Sequence, residues 1–164
     1  MSVPAYRRKP LSEPLKAGLL AASLFTDTMM LLSNEKAIPR RYRWCVTASI
    51  MEEVRQVLFG VLDANDLGLS KAVRARRLGY QQRAIEELRH SIVQLDTIAG
   101  GLPETSSRHL ESWVAKAHEL EQALAAWIAS DTRRVAAGET VQPAPELTSL
   151  VDALLELGCA AEQR

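Results

Sequence analysis

Apolar residues recur at spacings of three and four along four long stretches, the pattern of helices with one face turned inward. The first stretch runs from Leu11 to Leu32 and carries Leu15, Leu19, Ala22, Phe25, Met29 and Leu32. Ser12-Glu13-Pro14 supplies its start and Ser33-Asn34 its stop. The second runs from Pro39 to Asn65 with Ile50, Val54, Val57, Leu58, Val61 and Leu62 as its stripe; Asn65-Asp66-Leu67-Gly68 closes it with residues that tolerate turn geometry. The third spans Ser70 to Ala99, where Ile85, Leu88, Ile92, Leu95 and Ala99 form a heptad-like seam that Gly100-Gly101-Leu102-Pro103 ends. The fourth spans Glu104 to Thr132 and turns Leu110, Trp113, Val114, Ala117, Leu120, Leu124, Trp127 and Ile128 to one side. No stretch has a hairpin signal or reads as a buried strand.

The connections are about four to six residues, which favours antiparallel neighbours. The expected fold is therefore all-α: an antiparallel up-down-up-down four-helix bundle over residues 1–134. Residues 135–164 read as a linker, Val135 to Pro145, then a short amphipathic helix with Leu147, Leu150, Val151, Leu154 and Leu155. That helix either packs on the bundle or docks on another chain.

Composition agrees with a helical soluble domain. Hydrophobic residues make up 47% of the 164, charged ones 24% and aromatics only 5%, with many Ala, Leu, Glu and Arg. No apolar run reaches the ~18 residues that span a bilayer, and no membrane partner is expected. Arg7, Arg8 and Lys9 precede an amphipathic stretch rather than a short apolar block, which argues against a signal peptide. Cys45 and Cys159 stand far apart without metal-ligand spacing, which fits a reducing cytoplasm.

The formal net charge is zero, but unevenly distributed. Residues 1–90 carry 15 basic against 9 acidic side chains, an excess of +6; residues 91–164 carry 5 against 11, an excess of −6. Opposed halves can meet each other or separate partners. The overall balance argues against indiscriminate nucleic-acid binding.

Sites for catalysis are hard to assemble. His90, His109 and His118 do not combine with carboxylates at metal-binding spacing, no glycine loop follows a strand, and no nucleophile–base set stands out. No catalytic residue, metal or cofactor is assigned. Arg83 and His90 resemble the Arg-x4–6-His signature of HEPN ribonucleases, although the polar residue that usually follows the Arg is here Ala84. The plainer reading is two solvated side chains. Trp113 and Trp127 are expected to pack in the core or at a subunit interface. Trp44 is expected to cap the bundle end, the alternative being a stacking face for a base or an Arg.

One segment runs against the electrostatics of helices. In Ile38-Pro39-Arg40-Arg41-Tyr42-Arg43-Trp44, Pro39 suits a first helical turn, yet three arginines crowd the end where the backbone dipole disfavours cations. Such a misfit points to an acidic partner. The same residues, with the long helix to Leu62-Asp63-Ala64-Asn65-Asp66, resemble the central motif of the accessory variability determinant family. These four-helix-bundle proteins accompany the reverse transcriptases of diversity-generating retroelements and belong with proteins encoded in ribosomal-RNA intervening sequences. Ile38, Pro39, Arg40, Arg41, Arg43 and Trp44 occupy the motif positions. Glu86-Glu87-Leu88, the Gly100-Gly101-Leu102 turn and Leu124 to Trp127 also fit. The likeness covers roughly residues 11–132.

The resemblance implies a non-catalytic homopentamer of four-helix bundles that binds a reverse transcriptase, its template RNA and the cDNA during mutagenic synthesis. It also places Arg40, Arg41 and Arg43 on the binding surface. Trp44, Arg55 on the second helix, and Lys71, Arg74, Arg76 and Arg77 at the start of the third extend that candidate surface. The neutral net charge favours RNA binding within a complex. The alternatives are a HEPN-type ribonuclease and a partner-binding bundle without a nucleic-acid role.

Overall fold

The computed structural model describes residues 12–101 and 107–161. Within them the chain is all-α. The helices are α1 (Glu13–Ser33), α2 (Arg43–Asp66), α3 (Arg74–Gly101), α4 (Ser107–Ala136) and α5 (Pro145–Ala161), and a one-turn 3-10 helix, Arg40–Tyr42, leads into α2. Of the positions named above, Arg7, Arg8, Lys9, Leu11, Leu102, Pro103, Glu104 and the Cys159 side chain lie outside this description.

Three boundaries differ from the sequence reading. Pro39 precedes the 3-10 turn, so the regular α2 begins at Arg43. α3 begins at Arg74 and runs through Gly100 and Gly101, whose entropic cost lowers helix stability without forbidding the conformation. α4 continues to Ala136, beyond the expected stop at Thr132. It ends where Gly138 adopts φ 75°, with Gly138 N–H bonded to the Val135 carbonyl and Glu139 N–H to that of Arg134, a Schellman closure.

Cross-helix contacts give the directions. Arg134 meets Glu13 at 3.6 Å, while Trp113 Nε1 donates to Thr28 Oγ1 at 2.8 Å, so α4 runs antiparallel to α1. Gln94 Nε2 donates to Ser49 Oγ at 3.1 Å and Arg77 Nη1 to the Ala64 carbonyl at 3.0 Å, so α3 runs antiparallel to α2. A Cβ on Gly60 would lie 3.1 Å from the Tyr80 carbonyl oxygen and 3.2 Å from Ala84 Cβ, so the pair is closely packed there.

The core joins Leu24, Ile50, Leu58, Leu88, Leu95, Leu120, Leu124 and Trp127, all with little or no exposure. Trp113 and Trp127 are both interior, as their positions on the α4 stripe predict. α1 follows its expected stripe only in part: Ala22 and Leu32 are buried. Leu15, Leu19, Phe25 and Met29 are half-buried, and the deepest face carries Ala17, Ala21, Leu24, Thr28 and Leu31. Small residues let α2, α4 and α5 approach α1, while Lys16, Met30 and Ser33 stay exposed. By length and composition α1 is also apolar enough to cross a bilayer, contrary to the expectation that no segment qualifies. In the fold it packs against α2, α4 and α5.

The C-terminal region belongs to the same core. Leu147 is fully buried and Val151 nearly so, on the face of α5 that meets α1. Gly18 makes room for it: a Cβ there would fall 2.0 Å from Leu147 Cδ1. The expected linker is pinned to the α2–α3 turn. Leu69 and Val141 exchange backbone hydrogen bonds of 2.7 and 2.9 Å. The buried Asn65 amide donates to the Ala144 carbonyl and accepts from the Ala144 N–H, both at 3.1 Å. Gly68, at φ 62°, lies where a Cβ would come within 2.8 Å of the Val141 carbonyl oxygen.

Candidate functional site

The arginine-rich segment sits at the bundle end where α1 hands over to α2. Its three arginines have different fates. Arg40 and Arg41 are exposed, and the Arg41 guanidinium lies 4.9 Å from the Tyr42 ring centroid. Arg43 is half-buried. Its Nη2 donates to the Ser33 carbonyl at 2.5 Å and its Nε to the Ile38 carbonyl at 3.3 Å. α1 has no basic residue in its own last turn. Arg43 therefore supplies a cation and donors to the negative end of α1, where carbonyls lack helical partners. One of the three misplaced cations is thus explained by the neighbouring helix, and Arg43, half-buried, also lines the surface beside Trp44.

Trp44 corrects the expectation of a capping role. It is 84% exposed, more than any other large apolar side chain among the described residues. Beside it Met29, Leu32 and Met51 line a groove of about 480 Å³ between α1 and α2. Thr47 also lines this groove, with its hydroxyl buried and unpartnered. Met30, on the adjoining face of α1, is 55% exposed.

Arg77 is the second correction. The sequence reading placed it on the binding surface, but it is 2% exposed. Its Nε and Nη2 donate to Asp131 at 2.7 and 3.2 Å, its Nη1 to the Ala64 carbonyl, and its guanidinium lies 4.9 Å from the Trp127 centroid. Gln81 Nε2 donates to the same Asp131 at 2.8 Å. Arg77 sits one helical turn before the buried Gln81, on the inward face of α3, so its charge is neutralised inside the bundle.

The remaining candidates are exposed but separated. Arg55, midway along α2, is held by Glu52 at 2.6 Å and stacks on Phe59 at 5.5 Å. Lys71, Arg74 and Arg76 lie at the far end of α2, roughly 36 Å from Arg43 by helical rise. There Lys71 and Arg74 border a cleft of about 520 Å³ with Thr132, Val135 and Glu139. Arg76 leans on Tyr80. The structure thus brings Arg40, Arg41 and Trp44 together and leaves the α3 cations at the opposite end.

Titratable groups elsewhere serve helix contacts. On the α2–α3 seam Glu53 accepts from Ser91 Oγ at 3.0 Å and from Gln94 Nε2. Burial raises its pKa, and Glu87 adds to the rise while Ser91 and His90 oppose it. Arg83 and His90 share the exposed side of α3, where Arg83 pairs with Glu87 at 3.8 Å. Among the described residues no three His, Cys, Asp or Glu side chains gather in a way that could hold a metal. Cys45 is exposed and free.

The exposed tryptophan, the groove and the structural duty of Arg43 were missed from the sequence. An arginine ten residues after a helix-terminal Ser was the available signal for the last. In comparison with protein-family models, curated proteins and solved structures, the chain has no match.

Proposed function

We propose that this chain is a non-catalytic accessory subunit of a diversity-generating retroelement reverse transcriptase. In this reading it acts in the cytoplasm as a homopentamer and helps the polymerase hold its template RNA and cDNA. The observation that supports it most is the outward presentation of Arg40, Arg41 and Trp44. These residues carry the motif resemblance, and all three are exposed. A helical frame that exposes two arginines and a tryptophan at one end suits a binding subunit. The neutral net charge fits RNA contact within a complex better than capture of free RNA. Lys71, Arg74 and Arg76 offer a second basic surface for the nucleic acid.

The test asks whether a reverse transcriptase is encoded beside this gene and, where one is, co-expresses the two and purifies on a tag carried by this chain. The reading expects the polymerase and RNA to co-purify, and five subunits by light scattering. Recovery of the chain alone, free of polymerase and nucleic acid, would sink it. Cleavage of RNA by the purified chain, lost in His90→Ala, would favour the ribonuclease reading instead.

A further inference from the structure

We infer that the small cavity between α3 and α4, at the end where α3 begins, is a binding site for a single water molecule held by the Gln81 carbonyl oxygen. This goes beyond the function proposed above and does not rest on it.

The cavity has a volume of about 10 Å³, and Leu69, Arg74, Gln81, Ile128, Asp131 and Thr132 are among its walls. One water needs ~10–15 Å³ by this measure, so the space suits one water and no larger ligand.

The polar lining decides the occupant. Gln81 is 1% exposed, and its Nε2 donates to Asp131 at 2.8 Å. Its Oε1 is buried and has no hydrogen-bond partner among the described residues. Turning the amide over would set Oε1 against the Asp131 carboxylate, acceptor against acceptor. Nε2 therefore stays on Asp131, and the carbonyl oxygen is the half of the amide left to pair. Buried amide oxygens are nearly always paired, and the partner this one calls for is a donor.

A water has two protons to give. One serves Gln81 Oε1. The other can go to Thr132 Oγ1, which spends its own proton on the Ile128 carbonyl at 2.9 Å and so is free to accept. The Arg74 guanidinium, in the same lining, can donate to the water oxygen. Three bonds are the usual number for a buried water.

Other occupants fit less well. A bare cation would face Arg74 and Arg77, and the charge of Asp131 is already met by Arg77 at 2.7 Å. An anion would sit against the Gln81 oxygen and the Asp131 carboxylate. An apolar group would leave Gln81 Oε1 unpaired. Leu69, another wall of the cavity, is held by its two backbone hydrogen bonds to Val141, so the segment after α4 helps to close the site.

The test is a crystal structure of the full chain, grown without sulfate or phosphate, at a resolution that shows ordered waters. One water peak is expected within roughly 2.7–3.2 Å of Gln81 Oε1 in every copy. In solution, the Gln81 side-chain amide protons should show a nuclear Overhauser contact to water. Gln81→Met keeps the length of the side chain and removes the acceptor, and the water peak should vanish from its structure. Thr132→Val, an exposed position, should lower the occupancy of the peak while circular dichroism stays that of the wild type.

A wild-type structure with no water on Gln81 Oε1 would overturn the inference. So would a protein group bonded to that oxygen, an ion in the cavity, or a water that persists unchanged in Gln81→Met.

Discussion

Arg77 offers the sharpest test of the fold, because its side chain is a charge that the bundle encloses. Arg77→Ala would remove both donors to Asp131, the bond to the Ala64 carbonyl and the stack on Trp127. Asp131, itself 6% exposed, would keep only Gln81 as a partner among the described residues. Breaking a buried ion pair from one side typically costs about 3–5 kcal/mol, because the other charge stays buried and uncompensated. The lost carbonyl bond and cation–π contact belong to the same network, so they do not add in full. A loss of about 4–5 kcal/mol is a large share of the roughly 5–15 kcal/mol that holds a domain. For a chain of this length it lowers Tm by roughly 10–15 °C.

Thermal and urea unfolding followed by circular dichroism would measure it. Arg77→Met with Asp131→Leu should recover most of the loss, since both charges leave together. Exposed Arg76→Ala should stay within about 0.5 kcal/mol of the wild type. An Arg77→Ala variant within about 1 kcal/mol of the wild type, or a double variant worse than the single, would refute the reasoning.

Other consequences can be checked with the same tools. Arg43→Ala should cost about 1–2 kcal/mol in urea unfolding, since it frees the Ser33 carbonyl at the α1 end and the Ile38 carbonyl in the connecting turn, whereas Arg40→Ala should be nearly neutral. Gly18→Val should force Leu147 off α1 and cost about 1–3 kcal/mol, seen as faster proteolysis near α5; unchanged proteolysis would contradict the fit of Leu147 against Gly18. Glu53 and Glu121 should titrate with opposite signs. Burial raises the Glu53 pKa, so its contribution is present below the unfolded value of 4.5 and lost as pH rises through the folded value. The Tm difference between wild type and Glu53→Gln should shift toward the wild type as pH falls through that window. The Arg89 hydrogen bond lowers the Glu121 pKa, so its contribution is present above 4.5 and lost as pH falls through the folded value; Glu121→Gln should matter at neutral pH and cease to matter in acid.

The all-α class was legible because long stripes of large apolar residues have one physical reading. The stripes of α2 and α4 came out nearly residue for residue: Val54, Val57, Leu58 and Val61 are buried, as are Leu110, Trp113, Leu120 and Trp127. α1 was harder, because Ala17, Ala21 and Thr28 look unremarkable in a row of leucines and methionines. Their small size matters only once three neighbouring helices press on them. The pinning of the linker was invisible for a similar reason: Asn65 reads as a helix-ending residue, and its amide pairs with a backbone 79 positions away.

At the candidate site, the sequence located the charged segment but could not divide it. Arg40, Arg41 and Arg43 look alike in a string. Only the position of the Ser33 and Ile38 carbonyls assigns Arg43 to the fold. Arg77 was mistaken for a surface residue because its acidic partner lies 54 positions on, in another helix. Trp44 was expected to be covered because tryptophans usually are, and its exposure is what gives this end of the bundle its character.

The central claim is that the Arg40–Arg41 end of the bundle grips the reverse transcriptase. It is tested most directly by the equilibrium affinity of the polymerase for the wild type and for Arg40→Ala with Arg41→Ala, measured by surface-immobilised binding at physiological salt. The account predicts an affinity at least about tenfold weaker for the variant, from the loss of two charged contacts, with unchanged helical content. Equal affinity for the wild type and a correctly folded variant would contradict it.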